Sequence, residues 1–562
     1  MRKQVVKLLK KALKENRVKL KEEEIEKLLE VPPTADMGDY AFPCFFLAEK
    51  LKEEPRQIAL EIREKIGTPP ATDFEDIQTE GPYVNFFFNR KTMAKKLVWE
   101  VINQKKDFGK NNIGNKKKII VEFSAPNIAK PFGIGHLRST IIGNSIANIC
   151  EFQGFKVIRL NYLGDWGAQF GRLLAGYKKF GDEKKLQKNP IKHLLDIYVK
   201  ANKKSFDKQS AEEFKKLEEG DKENLMLWRT FKEYSLEEFD KVYKDLGIKF
   251  DKQLAESMYN KKMKEVIQEL EKKELLKKSE GAQIVDLKKD GLGACLIEKS
   301  DGATLYATRD LASAIDRYKE YKFERMIYEV GQEQKLYFKQ LFKVLELIGY
   351  EWAKNCIHVE HGHYLDKDGK RFSTRKGKSV FMKDILAETK SLAKKEIKKR
   401  LPKIKEKDLE ERAHKIAIAA IFYGDLKNNR KNNILFDLKK FVSFEGDTGP
   451  YIQYSYARAS SIQRKAKSQE KFEVHSLDPQ EIELIRKLLQ FPDIASKAYN
   501  SLSPSVIANY AYQISKLFNE FYHACPVIGS ESEMFRLALV EAFRQILKNC
   551  AHLLGIQLLE EM

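Results

Sequence analysis

The 562-residue sequence predicts a protein of the α/β class with several domains, in which a nucleotide-binding domain lies between a smaller α/β domain and an all-helical domain. The length exceeds the ~250 to 300 residues that one hydrophobic core usually serves. The hydrophobic period changes from strand to helix and back to strand between residues 116 and 160. From about residue 392 onward, the apolar residues recur at helical spacing.

The central part begins with a strand, a loop, a helix and a second strand. Residues 116–123 form an apolar run that suits a buried parallel strand, and residues 124–135, with two prolines and two glycines, predict a loop. Apolar residues at helical spacing continue from 137 to about 152, and residues 155–160 predict the next strand. This βαβ order is typical of a Rossmann-type nucleotide-binding domain.

The loop and the first helical turn have the composition of an anion-binding site. The first amides of such a helix attract phosphate or carboxylate. Gly133 and Gly135 let a nucleotide lie against the backbone, and His136 can donate a hydrogen bond to an oxyanion without a permanent charge. A tight turn without a ligand is the alternative, because a GxG sequence alone is a weak signal.

Residues 1 to about 110 predict a separate α/β domain. Two helical stretches, residues 5–14 and 22–29, precede the turn-rich VPPTADMGDYAFPC, and GPYVNFFFN is typical of an aromatic strand. Residues 105–118 are rich in glycine, asparagine and lysine, which indicates a linker into the central domain.

Residues from about 168 to 273 are helical in pattern and strongly charged. Both signs occur at i,i+4 spacing, which is typical of a solvated helical face. We interpret this stretch as a helical subdomain inserted between the two halves of the nucleotide-binding domain.

Two later stretches carry further polar candidates. SDGATLYATRDLASAIDRY places Tyr306, Arg309 and Asp310 at the start of an amphipathic helix, where a carboxylate is tolerated; helix capping is the alternative role of Asp310. Residues 324–350 predict a strand, a loop and a helix, with Gln334 near the end of the loop. RFSTRKGK (371–378) is a basic loop with a glycine, which either binds phosphate groups or is simply solvated.

The C-terminal part, from about 392 to 562, predicts a helical bundle. FEGDTGPYIQYSYARASSI opens one helix and places Tyr451, Tyr454 and Arg458 at i, i+3 and i+7, hence on one face. Two aromatic rings beside a guanidinium can bind a single nucleic acid strand. A seam of the bundle core would use the same spacing.

Charge and cysteine usage narrow the class of protein. The chain has 103 lysines and arginines against 82 acidic residues, a net charge of +21, which favours a polyanionic partner such as nucleic acid, although a lysine-rich proteome would give a similar balance. The six cysteines are scattered without a CxxC, so we expect reduced thiols, no metal site and a cytoplasmic location. No apolar run approaches the ~20 residues of a membrane span, so we expect no membrane partner.

Six stretches carry a family resemblance. SAPNIAKPFGIGHLRSTIIGNSIAN with NYLGDWGAQFG resembles the first signature of class I arginyl-tRNA synthetases, and RFSTRKGK resembles the second. MGDYAFPCFFLA and GPYVNFFFN resemble the N-terminal domain of that family, and FEGDTGPYIQYSYARASSI resembles its anticodon-binding region. The sequence departs from the family pattern at Gly133, where the first signature histidine is expected, at Phe372, where methionine is usual, and at Glu80, where asparagine is frequent.

The resemblance implies three domains and one reaction. It implies a tRNA-corner-binding domain over residues 1–110, a catalytic domain over 111–391 with the helical insertion at about 168–273, and an anticodon-binding domain over 392–562. ATP, with Mg²⁺ carried by ATP, would activate L-arginine, and the arginyl group would pass to the terminal adenosine of tRNA(Arg). The enzyme is expected to act as a monomer.

The resemblance also implies roles for individual residues. Those expected at ATP are Lys130, Gly133, Gly135, His136, Ser373, Arg375, Lys376 and Lys378. Four of these are expected to be catalytic: His136, Lys130, Arg375 and Lys376. Those expected around arginine are Glu122, Ser124, Asn127, Glu256, Tyr306, Asp310 and Gln334. Those expected at tRNA are Tyr83, Asn85, Tyr451, Tyr454, Arg458 and Met562.

Three other classes of function remain open at this point. The absent histidine at Gly133 would suit a catalytically inactive tRNA-binding protein, although Asp310, Tyr306 and the basic loop argue against it. A class I synthetase for another amino acid would not need paired carboxylates. A dinucleotide-dependent oxidoreductase would need a GxGxxG with an acidic residue ~20 positions later, and neither is present in the expected form.

Overall fold

The computed structural model describes residues 2–299, 306–372, 381–466 and 472–562. Four of the residues expected at ATP lie outside the described residues: Ser373, Arg375, Lys376 and Lys378. Among the described residues, no helix combines the length and the apolar composition that a membrane crossing needs.

The N-terminal part packs helices against a small antiparallel sheet. Its elements are α1 (Arg2–Glu15), α2 (Glu22–Leu28), β1 (Tyr40–Pro43), α3 (Phe45–Leu51), α4 (Pro55–Ile66), β2 (Phe74–Glu80) and β3 (Tyr83–Phe88). The strand order is β1-β3-β2, so the predicted aromatic strand, β3, is the central one and buries Phe86 and Phe88. Helix α5 (Arg90–Gln104) then leads to the central part.

The central part opens with the predicted βαβ unit. Its elements are β4 (Lys118–Glu122), α6 (Ile134–Phe152) and β5 (Lys156–Leu163), and β4 pairs with β5 in parallel. Helix α6 is buried along most of its length, as expected of a crossover helix covered on both sides.

The helical insertion follows β5 and ends earlier than predicted. Its helices are α7 (Ala168–Phe180), α8 (Glu183–Lys188), α9 (Pro190–Ala201), α10 (Asp207–Glu219) and α11 (Lys222–Leu246). The chain then returns to the parallel sheet in β6 (Lys252–Ala255), within the stretch for which only helix was predicted. This edge strand has four residues and exposes its first two, so it has neither the length nor the apolar run that reveals a buried strand.

The remaining elements complete a five-stranded parallel sheet. They are α12 (Met263–Lys272), β7 (Leu276–Ser279), β8 (Ala282–Leu287), β9 (Gly293–Glu298), α13 (Tyr306–Tyr321), β10 (Arg325–Gly331), α14 (Lys335–Ile348), β11 (Cys356–His361) and β12 (Tyr364–Leu365). The order of the parallel sheet is β11-β10-β4-β5-β6, while β7, β8 and β9 form a separate antiparallel sheet. The carboxyl ends of the parallel strands therefore share one edge, where ligands bind in such folds.

The C-terminal part is helical with one short exception. Its helices are α15 (Met382–Arg400), α16 (Glu406–Leu426), α17 (Leu438–Phe441), α18 (Gly449–Lys465), α19 (Pro479–Leu489), α20 (Phe491–Ser501), α21 (Ser505–Ala524) and α22 (Glu533–Leu554). The exception to the predicted all-helical pattern is β13 (Ile434–Leu435), which pairs with β12 of the central part. Two residues are too few to show a periodic pattern.

Buried ion pairs connect the three parts. Arg138 of α6 and Asp425 of α16 approach to 3.4 Å between Nε and Oδ2 with both side chains buried, and Tyr364 donates to the same carboxylate. Asp39, beside β1, accepts from Arg486 of α19 at 3.0 Å. Because breaking a buried pair leaves an uncompensated charge, these contacts fix how the parts meet.

Candidate active site

Three carboxylates lie at the carboxyl-terminal edge of the parallel sheet. Glu122 ends β4, Glu256 directly follows β6, and Asp310 lies near the N-terminus of α13. Helix α13 leads into β10, so its N-terminal end reaches this edge. The contact between Arg309 Nε and Asn260 Oδ1, at 3.1 Å, joins α13 to the segment after β6 and brings Asp310 and Glu256 together.

The charges of Asp310 and Glu256 are poorly compensated. Burial raises the pKa of Asp310 to about 6, although Tyr337 Oη donates a hydrogen bond to this carboxylate. Burial, and then the charge of Asp310, raise the pKa of Glu256 to about 8. A cation bound between the two carboxylates would relieve both effects. The arrangement of these two carboxylates therefore favours a positively charged group between them.

Two arginines of the protein itself border this site. Arg317 is buried, forms an ion pair with Glu122, and lies over the ring of Tyr162 at 4.7 Å from its centroid. Arg309 Nη1 is 4.0 Å from Glu256 Oε2. Glu122, which was predicted to bind arginine, thus already has a cationic partner in this structure, whereas Glu256 has only a distant one.

Two further predicted residues lie at exposed positions at the start of α13 and of α14. Tyr306 begins α13 and is 55% exposed, and its ring centroid is 4.9 Å from that of Tyr337. Gln334 is exposed and occupies the N-cap position of α14, three residues after the end of β10. The ring of Tyr306 is thus linked to Asp310 through Tyr337, whose hydroxyl donates to this carboxylate.

The loop after β4 holds backbone strain. Ser124, Ala125 and Ala129 have φ of 73°, 43° and 58°, in the left-handed region that favours glycine. The Ser124 hydroxyl is 2.8 Å from both Tyr243 Oη and Thr140 Oγ1, and Ala129 N–H donates to Ser235 Oγ at 2.7 Å. Such strain persists only where the surroundings determine the conformation, and it is concentrated at functional sites.

A chain of side chains leads from this loop to the first turn of α6. Gln169 Nε2 donates to Asn127 Oδ1 at 3.3 Å, and Lys130 Nζ donates to Gln169 Oε1 at 2.9 Å. The charge of Lys130 in turn acts on His136. Asn127, Lys130 and His136, all predicted from the sequence, thus form one continuous polar surface.

His136 is held as a neutral donor. Burial, followed by the charge of Lys130, lowers the pKa of His136 to about 4, so the ring is neutral at physiological pH. The N–H of Gly133 donates to Nδ1 at 3.3 Å, which places the ring proton on Nε2. The Nε2–H group and the free amides at the start of α6 can together bind an oxyanion.

Gly133 has ordinary extended backbone, with φ −100° and ψ 174°, so its conformation does not require glycine. It forms an antiparallel bridge with Phe381, and Met382 N–H donates to Phe132 O at 3.0 Å. On the other side of the basic loop, Arg371 bridges to Leu365 of β12. The described residues on both sides of the loop are therefore anchored, Arg371 on β12 and Phe381 on Gly133 at the start of α6.

A pocket of about 510 Å³ in the C-terminal bundle brings together several residues predicted at tRNA. The Arg458 guanidinium lies 4.8 Å from the ring centroid of Tyr454 and 4.9 Å from that of Tyr522. Asn519 accepts from Arg458 and donates to Tyr451 Oη at 2.9 Å. Met562 also lines the pocket. These rings form an open aromatic and cationic surface, which a closed core seam would not provide.

The two residues of β3 that were predicted at tRNA, Tyr83 and Asn85, differ in exposure. Tyr83 is half-buried, and its ring meets that of Phe45, which is 55% exposed, at 5.5 Å between centroids. Asn85 is only 5% exposed. The aromatic surface here is thus formed by Tyr83 with Phe45. Phe45 was not predicted from the sequence, although it lies in the two-phenylalanine run of CFFLA.

Four residues of the central site were missed from the sequence. Asp165 and Gln169 lie in GDWGAQFG, where two polar residues among glycines and apolar residues indicate candidate site residues. Arg317 follows Asp310 by seven residues and so lies on the same helical face. Tyr337 has no signal in the sequence pattern that we can identify.

A group of potential metal ligands lies elsewhere in the described part of the chain, formed by Asp478, Glu481 and Cys525. Arg536 donates to Glu481 at 2.8 Å and to Asp478 at 2.7 Å. Because this guanidinium already compensates both carboxylates, the group has the character of a structural ion pair.

Comparisons with known proteins identify the family to which the chain is similar. Three family descriptions match the chain: "Arginyl tRNA synthetase N terminal domain" over residues 3–88, "tRNA synthetases class I (R), catalytic domain" over 97–438 and "DALR anticodon binding domain" over 452–562. The arginine–tRNA ligase of Clostridium perfringens is 44% identical over 568 residues, covering 99% of each chain. That of Clostridium acetobutylicum is 43% identical, covering 96% of this chain and 97% of its own.

Solved structures show the same architecture over the whole length. The arginyl-tRNA synthetase of Thermus thermophilus superimposes with a TM-score of 0.84 at 24% identity, covering 100% of both chains, which shows the fold. That of Plasmodium falciparum gives 0.83 at 25% identity, covering 100% of this chain and 99% of its own. With a catalytic-domain match over more than half of its length and close relatives along all of it, the chain belongs to the family of class I arginyl-tRNA synthetases.

Proposed function

We propose that this protein makes arginyl-tRNA in two steps at the sheet edge. A carboxylate oxygen of L-arginine attacks the α-phosphorus of ATP, the bond to the β-phosphate oxygen breaks, and pyrophosphate leaves. The 2′-hydroxyl of the terminal adenosine of tRNA(Arg) then attacks the carbonyl of the adenylate, loses its proton and releases AMP. Neither step requires a covalent enzyme intermediate, so catalysis consists of positioning and charge stabilisation.

The poorly compensated pair of Asp310 and Glu256 is the observation that carries this proposal. A guanidinium is planar and permanently charged, and its fork of N–H groups matches carboxylate oxygens. The substrate side chain would therefore lie between Asp310 and Glu256, with Tyr306 beside it. Ser124, Asn127 and Gln334 remain the proposed contacts of the amino acid end of arginine.

ATP would lie over the first turn of α6. Nε2–H of His136 and the Lys130 ammonium would face phosphate oxygens, and Gly135, which is exposed, leaves the backbone open. Lys130 and His136 offer Mg²⁺ no carboxylate ligand. The ion would therefore arrive bound to the phosphates of ATP and would reduce the negative charge of those phosphates. Ser373, Arg375, Lys376 and Lys378 are proposed to stabilise the departing pyrophosphate.

We expect the affinity for arginine to rise with pH. Because the pKa of Glu256 is about 8 in the free enzyme, this carboxyl is mostly protonated at pH 7, whereas the guanidinium binds its ionised form. The KM for arginine should fall by about eightfold from pH 7 to 8.5, in proportion to the ionised fraction. Steady-state exchange kinetics with ATP saturating would measure it, and an arginine KM that stays constant over this range would contradict the assignment.

Adding the absent histidine should change little. Lys130 already supplies a cation next to His136, so Gly133→His should alter the rate of adenylate formation by less than about tenfold. Single-turnover formation of arginyl-adenylate with tRNA present measures this. An increase of about a hundredfold would mean that the signature is functionally incomplete in this chain.

The pocket around Arg458 is proposed to bind an anticodon nucleotide. Replacing Arg458 by Met removes the cation between Tyr454 and Tyr522 and should lower kcat/KM for tRNA by about 10- to 100-fold, since base stacking and cation–π contacts contribute ~1 to 3 kcal/mol. The KM values for arginine and ATP should remain unchanged. Lys516→Met, an exposed cation on α21, is the matched control. An equal loss in both variants would indicate only a general loss of charge.

One assay tests the proposed function directly. Arginine-dependent exchange between ATP and pyrophosphate, with tRNA present, should occur with arginine and with none of the other nineteen amino acids. An inactive tRNA-binding scaffold would bind tRNA without any exchange, and exchange with a different amino acid would identify another class I specificity.

The partners and location complete the proposal. The substrates are tRNA(Arg), L-arginine and ATP. We propose a cytoplasmic location because the six cysteines are unpaired and buried. We also propose that the enzyme acts as a monomer, because the residues proposed to bind arginine, ATP and tRNA all lie in one chain. Light scattering of the purified protein at working concentration gives its mass directly.

A further inference from the structure

Asp165 connects the helical insertion to the sheet edge. It is fully buried after β5, and its Oδ1 accepts from Ser257 N–H at 2.8 Å. Its Oδ2 accepts from Ser257 Oγ and from Lys232 Nζ, both at 2.7 Å. The indole N–H of Trp228 donates to the carbonyl of Asp165 at 2.8 Å. Ser257 belongs to the segment after β6, while Lys232 and Trp228 belong to α11 of the insertion, so one residue binds both.

Trp166 makes a second connection between the helical insertion and the sheet edge. Its backbone N–H donates to the carboxylate of Glu256, and its ring meets those of Trp228 and Phe214 at 5.6 and 5.9 Å between centroids. Asp165 thus holds Ser257 while Trp166 holds Glu256, and both contact helices of the insertion. The orientation of Glu256 therefore depends on the packing of the insertion.

A buried carboxylate at this position has an electrostatic cost for its neighbour. The charge of Asp165 contributes to the raised pKa of Glu256. A neutral residue could accept some of the same hydrogen bonds without this effect, but it would leave the ammonium of Lys232, which lies over the ring of Trp228, without its ion-pair partner.

We propose that Asp165 is a positioning residue for arginine selection, which fixes Glu256 in the guanidinium site and makes its placement depend on the insertion through Lys232. The inference rests on the proposed function of the Asp310 and Glu256 pair. It assigns no contact between Asp165 and a substrate.

The test compares Asp165→Asn and Lys232→Gln with two exposed controls on α11, Asp245→Asn and Lys241→Gln. Wild-type exchange is measured first, because its absence would overturn the proposed function and not the role of Asp165. Asp165→Asn should raise the KM for arginine about 10- to 100-fold and Lys232→Gln about 3- to 10-fold, while the KM for ATP changes less than about twofold. The controls should match the wild type.

The pH profile separates positioning from general loosening. The charged groups facing Glu256 are Asp310 and Arg309 of α13 and Asp165 of the loop after β5, so removing one anion should shift the midpoint of the arginine KM profile to lower pH. Equal increases in the KM values for arginine and ATP, or an unshifted midpoint, would overturn the proposal. If Asp165→Asn does not fold, Lys232→Gln decides alone: an unchanged arginine KM in this variant would overturn it.

Discussion

Replacing Asp310 by Asn should lower kcat/KM for arginine by about 10²- to 10⁴-fold, because a charged partner of a partly buried guanidinium is worth ~3 to 5 kcal/mol. Glu256 cannot replace it, since burial, the largest cause of the raised pKa of Glu256, remains when Asp310 is neutral. The measurement is tRNA-dependent exchange at varied arginine. The loss should appear chiefly in the KM for arginine, with the KM for ATP unchanged.

Asp316→Asn is the matched control for this prediction. Asp316 lies six residues further along α13 and pairs with Lys262 near the surface, so its removal changes the charge of the same helix without reaching the sheet edge. The control should keep kcat/KM within about twofold of the wild type, as expected for a surface pair. Equal losses in the two variants would show that the helix, and not the carboxylate of Asp310, determines activity.

The βαβ unit could be predicted because several local signals agree there. Strand β4 is a buried apolar run, the loop carries prolines and glycines, and α6 has helical spacing that stops at Gly154. Each of these signals is local, so no knowledge of partners is required. The position of His136 at the mouth of the sheet follows directly from this order of elements.

Edge elements escaped prediction for the opposite reason. Strand β6 and the strands β7–β9 have only four to six residues each, and each of them is partly exposed. Their pairing is decided by neighbours distant in sequence, which a window of the chain does not contain. The early end of the helical insertion was missed for the same reason, because β6 is identified only by its pairing with β5.

The candidate site residues show the same difference between local signals and tertiary contacts. The family resemblance indicated Asp310, Glu256 and His136, but the sequence could not show which carboxylates are already paired. Glu122 forms a close ion pair with Arg317, whereas the nearest cation to Glu256 is Arg309 at 4.0 Å and Asp310 accepts from the hydroxyl of Tyr337. Charge compensation depends on tertiary contacts, so a paired carboxylate cannot be told from an unpaired one by residue type alone.

Replacing His136 by Asn should lower kcat for arginyl-adenylate formation by about 10²- to 10³-fold, the usual effect of removing one donor to a developing oxyanion. Asn can still accept the N–H of Gly133 but has no donor where Nε2–H lies, so the start of α6 should remain folded. His136→Gln places an amide N–H near Nε2 and should recover activity to within about tenfold of wild type.

Because the pKa of His136 is about 4, the wild-type rate should show no titration of this ring above pH 5. Single-turnover adenylate formation across pH 5.5 to 8.5 would measure all three proteins, with the exposed His475→Ala as control. Equal activity of the Asn and Gln variants would show that the Nε2 donor does not act on the phosphates.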